Sequence, residues 1–302
     1  MRVALFALLV AAPAAAQQVA DQSFNPPVAH PAYKEGAGPL ILIDGAHFNF
    51  HTVDGRYQAF AKLARRDGYR VEGSKKSFSA KSLRDAKILV IANALNRRNS
   101  NGRWSLPTPS AFSPDEIRAV REWVEGGGSL MLISDHMPFP GGMGDLAATF
   151  GVHMMNGFAF ENGAAPSGIF VDTRGAGSVH DHAITRGRSA DERVDSVKIF
   201  TGQGFRIDSG APLLSIEVDA TVLMPTVAWQ FSDSTPRVPA KGLLQGAAIQ
   251  FGRGRVAVFA EAAMFSAQVT GPARRPMGMN DPAAPQNAQF MLNVLHWLSG
   301  LL

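Results

Sequence analysis

Four uninterrupted aliphatic runs limit what this chain can fold into: LILI at 40–43, ILVIA at 88–92, LMLI at 130–133 and VAVF at 256–259. A strand with one face in water alternates apolar and polar residues. A run with no polar position has to be covered on both faces, as strands of a parallel sheet packed between helices are. The intervening segments fit that arrangement. Tyr57 to Arg66 is amphipathic and closed by Gly68, and YRVEG after it reads as a short strand. Ser113, Pro114 and Glu116 supply an N-cap, a first-turn proline and a capping-box acid for a helix whose buried stripe is Ile117, Val120 and Val124, and Gly126 to Gly128 stop it. A short helix is expected over Gly144 to Phe150 and a closing one over Asn287 to Leu298. VKIF, PLLSIEV, LLQGAAIQF and RVAVF read as further strands, the last two joined through FGRGR as a hairpin. The expected fold is therefore α/β: a doubly wound, mostly parallel open sheet with an antiparallel β extension in the C-terminal half, in one domain over 40–302.

Residues 1–16, MRVALFALLVAAPAAA, carry one positive charge, a short apolar run and a small-residue end, and they read as an export signal cut before Gln17. The run is about half the ~20 residues a spanning helix needs, so no transmembrane segment is expected in the mature chain, which should be periplasmic or secreted. Residues 17–39 are polar and proline-bearing and read as an extended arm. With no cysteine in 302 residues, disulfides, thiol nucleophiles and thiolate metal sites are excluded, and chemistry falls to His, Asp, Glu, Ser, Asn or Lys. The net charge of +4 is spread over scattered Lys and Arg, which gives no sign of a nucleic-acid partner. Two long loops, 96–112 and 266–286, read as lids or as disordered segments.

Polar residues collect where the aliphatic runs end. Asp44, His47, Asn49 and His51 follow the first, Asn93 the second, Ser134, Asp135 and His136 the third, and Glu261 the fourth. Parallel strands share one carboxyl edge, so these side chains are expected to converge there. Imidazoles with carboxylates suit a divalent metal such as zinc: His47, His51 and His136 are the candidate ligands, and Asp44, Asp135 and Glu261 the candidate ligands or bases. Asn49, Ser134 and Asn93 are candidate substrate contacts. Against this stands the plainer reading, in which Asp44 caps a turn, Asn49 braces a loop and the histidines are ordinary hydrogen-bonded residues. Phe48 and Phe50 read as core plugs, and His180, Asp181 and His182 as the braces of a turn. A serine nucleophile at Ser134 lacks the flanking glycines of an elbow.

DGAHFNFHT, GRYQAFAKLARRDGYRV, SPDEIRAVREWVEGGGSLMLISDH, GRGRVAVFAEAAMFSAQ and NAQFMLNVLHWL together resemble exported bacterial proteins of unknown function within the class I glutamine amidotransferase-like superfamily. The resemblance covers nearly all of the mature chain and implies a flavodoxin-like fold. In those amidotransferases a cysteine occupies the elbow that LISDHM matches here, so thiol chemistry is not available to this chain. Two functions are expected: a metal-assisted hydrolase of a small or cell-wall-derived substrate, or a non-catalytic periplasmic ligand-binding or scaffold protein that keeps the same crevice. Exported material analysed by intact mass should lack residues 1–16; an apolar segment retained in a membrane fraction would instead indicate an uncleaved anchor.

Overall fold

A computed structural model of the chain describes residues 18–163 and 167–302. The export signal expected over 1–16 lies outside them. Among the described residues the main sheet has nine strands. Five are parallel and lie side by side in the order Arg70–Ser74, Leu40–Asp44, Ile88–Ala92, Ser129–Ile133, Gly254–Phe259. Beyond them the sheet becomes antiparallel through Leu244–Phe251, which pairs with Ala211–Ser215 and also leads to Phe205–Ile207 and Val152–Met154. The hairpin between Leu244–Phe251 and Gly254–Phe259 turns at Gly252, whose φ is +57° and where a Cβ would meet the Glu125 carbonyl at 2.7 Å.

The aliphatic runs explain the layers. Every residue of Ile88–Ala92 and Ser129–Ile133 is buried. Ile41, Ile43, Val90, Met131 and Phe259 join one core cluster with Phe60 and Leu63 of the Gln58–Arg66 helix and Phe290 and Leu295 of the Asn287–Ser299 helix. Leu89, Ile91, Leu130, Leu132 and Val258 join another with Val120 and Val124 of the Pro114–Glu125 helix. Each such side chain contributes about 1.5–3 kcal/mol on burial. Among the described residues no helix is long and apolar enough to cross a membrane.

Three expectations need correction. The helix placed at Gly144 to Phe150 spans Phe139–Ala148. Two of its glycines, poor helix formers, sit at close approaches: a Cβ on Gly141 would overlap the Thr108 side chain, and one on Gly142 would come 2.8 Å from the Ala94 carbonyl. Loop 266–286 is not irregular throughout, since Ala267–Thr270 and Arg275–Gly278 form a hairpin within it. Nor is the stretch 17–39 wholly outside the fold, because Val19–Ala20 adds a third strand to that hairpin. Two- to four-residue strands are too short to show a period in the sequence.

One buried polar pair ties the ends of the fold together. Asp67, at the C-terminus of the Gln58–Arg66 helix, accepts from Ala32 N–H at 2.7 Å and bonds His296 Nε2 at 2.7 Å, and both side chains are fully buried. The segment leading into the Leu40–Asp44 strand, the first helix and the last helix thus meet at one carboxylate. Asp67→Ala leaves the imidazole and the Ala32 amide unpartnered, so chemical denaturation should show a loss of about 3–5 kcal/mol. A loss under about 1 kcal/mol would mean that water replaces the carboxylate at little cost.

Candidate functional site

The polar residues at the carboxyl edge separate into two groups. The first is a brace. Asp44, the last residue of its strand and fully buried, takes the His47 Nδ1 hydrogen between its two oxygens at 3.0 and 2.9 Å. Asn49 Nδ2 donates to Asp44 Oδ2 at 2.9 Å, and Asn49 Oδ1 accepts the His47 N–H at 3.0 Å. The far ring nitrogen of His47 reaches Glu116 Oε1 at 2.9 Å, while the rings of Phe78 and Phe112 hold its faces at centroid distances of 4.7 and 4.8 Å. Burial pushes the imidazole toward neutrality, but contacts with Asp44 and Glu116 outweigh it and His47 is raised. Burial likewise pushes Glu116 up, and the Ser113 N–H, the His47 ring and the Ser113 hydroxyl overcome it, holding the carboxyl at about 2. Glu116 closes the capping box with Ser113 and, in addition, clamps the first strand's loop to the helix. Asp44, His47 and Asn49 are thus engaged with one another, with both His47 nitrogens bonded to carboxylates.

The second group surrounds a cavity of about 480 Å³. Asn93 follows the Ile88–Ala92 strand in a left-handed conformation, φ +52°, which asparagine tolerates. Its Oδ1 accepts the Asp135 N–H at 2.8 Å, so the amide orientation is fixed and Nδ2 faces His51 Nδ1 at 3.2 Å. Since Nδ2 can only donate, His51 Nδ1 is the acceptor and its proton sits on Nε2, which is buried and has no partner. Burial, helped by the Arg56 charge, depresses His51 well below the usual imidazole range and keeps it neutral. His136 is the opposite tautomer. Its Nδ1 donates to the Met137 carbonyl at 2.7 Å, so Nε2 carries a lone pair, and burial brings the ring down to about 4.

Asp135 lines the cavity and is 8% exposed. Burial raises its carboxyl to about 7, against hydrogen bonds from the His136 and Ala262 backbones and the Asn93 side chain that pull it down. Glu261 lies fully buried beneath, its oxygens held by the N–H groups of Ala263 and Met264. Burial and then the neighbouring Asp135 charge push it well above the carboxylate range. Two acids in one dry region share at least one proton at neutral pH. Tyr57, whose hydroxyl donates to the Ala262 carbonyl at 3.1 Å, is raised by burial and by both acids.

The structure therefore gathers His51, Asn93, Asp135, His136 and Glu261, and it does not bring His47 to join His51 and His136. No three His, Asp or Glu side chains among the described residues form a metal-ligand group. Ser134 keeps its hydroxyl buried and unpartnered off the cavity. Several contributors were not read from the sequence. Trp104 and Trp229 edge the His136 ring at 5.9 and 4.8 Å, and Phe158 stacks on it at 4.5 Å. Both tryptophans come from loops tied together by a Ser105 to Val227 bridge, a contact with no local signal. Phe48 and Phe50 are not core plugs: Phe48 is 51% exposed at φ +48°, and Phe50 lines the cavity beneath the Arg56 guanidinium. His182 caps the Ala183–Arg186 turn through Nδ1, as a brace does.

No protein-family model matches the chain, and no curated protein matches it. Among solved structures, the mmIFT52 N-terminal domain is 14% identical with a TM-score of 0.58, covering 86% of this chain and 97% of that one. The cytoplasmic protein STM1381 from Salmonella typhimurium LT2 is 15% identical at a TM-score of 0.45, over 86% and 99%. A protein described as thuA-like from Bacteroides uniformis ATCC 8492 is 10% identical at 0.45, over 91% and 94%. The first likeness is one of fold alone, and the other two are too distant to carry an argument.

Asp135 has a folded value raised above its unfolded one, so the stability it contributes is complete below about pH 4 and is lost as pH rises through about 7. Asp135→Asn removes that loss. Urea titrations should show the variant gaining on the wild type as pH rises from 4 to 8. A difference independent of pH would mean that the carboxyl is solvated.

Proposed function

We propose that the chain is a hydrolase of a small or cell-wall-derived polar molecule, working by acid–base catalysis in this cavity. The observation that carries the reading is Asp135, an acid raised to about 7 at the carboxyl edge of a parallel sheet inside an aromatic-walled cavity. Protonated Asp135 serves as general acid toward the leaving group. His136, neutral above about 4 with its free lone pair on Nε2, serves as general base toward water. Trp104 and Trp229 in the lining suit a ring-bearing substrate such as a sugar, which packs its apolar face on aromatic rings and hydrogen-bonds at its edge. The scattered donor atoms favour this route over a metal-assisted one, since His47 has both nitrogens committed. Metal analysis of untagged protein separates the two.

The parallel-strand order, second-first-third-fourth-fifth in chain order, and the core clusters on alternate strand residues support a doubly wound, flavodoxin-like sheet. That is the arrangement which the resemblance to the class I glutamine amidotransferase-like superfamily implies. The signal-like first sixteen residues support action outside the cytoplasm.

On chromogenic glycosides and esters, kcat/KM should follow a bell with limbs near pH 4 and pH 7, set by His136 and Asp135. Asp135→Asn should lower it by roughly 10²–10⁴-fold while the fold is kept. Binding without turnover at any pH, in wild type and variant alike, would make this a ligand-binding protein.

A further inference from the structure

The cavity contains two N–H groups that the acid–base reading does not use. His51 is 2% exposed and lines the cavity, and its Nε2 hydrogen has no partner. The Asn93 amide fixes that hydrogen in place, because it occupies the other ring nitrogen as a donor. Arg56 lines the same cavity. Its guanidinium lies over the Phe50 ring at 3.8 Å, Nη1 donates to the Phe50 carbonyl at 3.2 Å, and Nε is buried with no partner. Among the described residues, no carboxylate pairs with Arg56, and burial alone accounts for its lowered basicity. The two groups flank one ring: the Arg56 guanidinium lies 3.8 Å from the Phe50 centroid and the His51 ring 5.6 Å from it.

A half-buried cation without a counter-ion, its Nε buried and unpartnered, beside a buried N–H without an acceptor, is costly in an empty protein. Both costs are offset by one ligand feature: an oxygen anion pressed against this wall takes both hydrogens and neutralises the guanidinium, in a charge-assisted geometry that lysine does not reproduce. The remaining wall mixes aromatic side chains, Trp104, Phe139 and Trp229 among them, with the polar Gln18, Thr201 and Gln268, and the acid Asp135 is a separate element of the same cavity.

Resting on the reading of this cavity as a substrate site, we infer that the Arg56 and His51 wall is a recess for an anionic group, so that the substrate carries a carboxylate or phosphate a short distance from the bond presented to Asp135. A ring-bearing acid, such as an acidic sugar, has both features.

The test measures binding alone, on the Asp135→Asn protein, so that it stands whether or not the protein hydrolyses anything. Calorimetric titration with glucuronate, glucose and inorganic phosphate at low salt separates the sources: glucuronate without phosphate indicates a carboxylate, phosphate without glucuronate a phosphate ester. Glucuronate or phosphate should bind at least about tenfold more tightly than glucose. Arg56→Met, which keeps the stem over Phe50, should abolish that preference, and Arg56→Lys, which keeps the charge but not the fork, should restore only part of it. Equal binding of glucose and glucuronate with no phosphate binding, a preference unchanged in Arg56→Met, or no binding of any probe at about 10 mM each overturns the inference. Should Arg56→Met fail to fold, Arg56→Lys decides alone, since a recess that needs Nε loses affinity even with the charge retained.

Discussion

The cavity depends on the side chain and backbone of Asn93. Its backbone N–H goes to Ile133 O at 2.9 Å and its carbonyl accepts from Phe50 N–H at 3.0 Å, so one residue joins the ends of three strands or their loops. Its amide then sets the chemistry, taking the Asp135 N–H on oxygen and giving a hydrogen to His51 from nitrogen. An aspartate would repel Asp135 and could not donate to His51, and an apolar residue would leave both neighbours unsatisfied. The conformation demanded, φ +52°, is one that few residues other than glycine and asparagine adopt, and only asparagine among them has an amide.

The site and its surroundings spend polar groups differently. Around Asp44 and His47 every buried charge has an opposite or a donor within about 3 Å, which is the pattern of a structural brace. Around Asp135 the two acids have N–H donors but no cation, one imidazole hydrogen has no acceptor and one guanidinium no carboxylate. Arrangements of that kind reduce stability, and in the proposed reading a ligand completes this one.

The aliphatic runs made the parallel sheet legible, since four or five consecutive apolar residues bounded by polar ones admit few other readings. They also marked the edge at which Asn93, Asp135, His136 and Glu261 meet. The sequence does not reveal how that edge divides. His47 and His51 are four residues apart with similar neighbours, yet one turns toward Glu116 and the other toward Asn93. Glu116 appeared as a capping-box acid because S-P-D-E shows only the local half of its bonds. Trp104, Trp229 and Arg56 sit in loops whose composition carries no period, and their convergence is set by tertiary pairing.

The strand Gly254–Phe259 has a bearing on how the molecule assembles. Its parallel partner Ser129–Ile133 is made roughly 120 positions earlier, and pairing over that separation is slow because the loop must close before any contact repays it. The four N-terminal parallel strands can associate through nearer neighbours, leaving the Ser129–Ile133 edge open in the meantime. Glu261 and the backbone that bonds to Tyr57 arrive only with the late strand. Completion of the acid pair thus rests on the pairing most distant in sequence among the parallel strands, and a chain lacking that strand presents an apolar, unpaired edge beside the cavity.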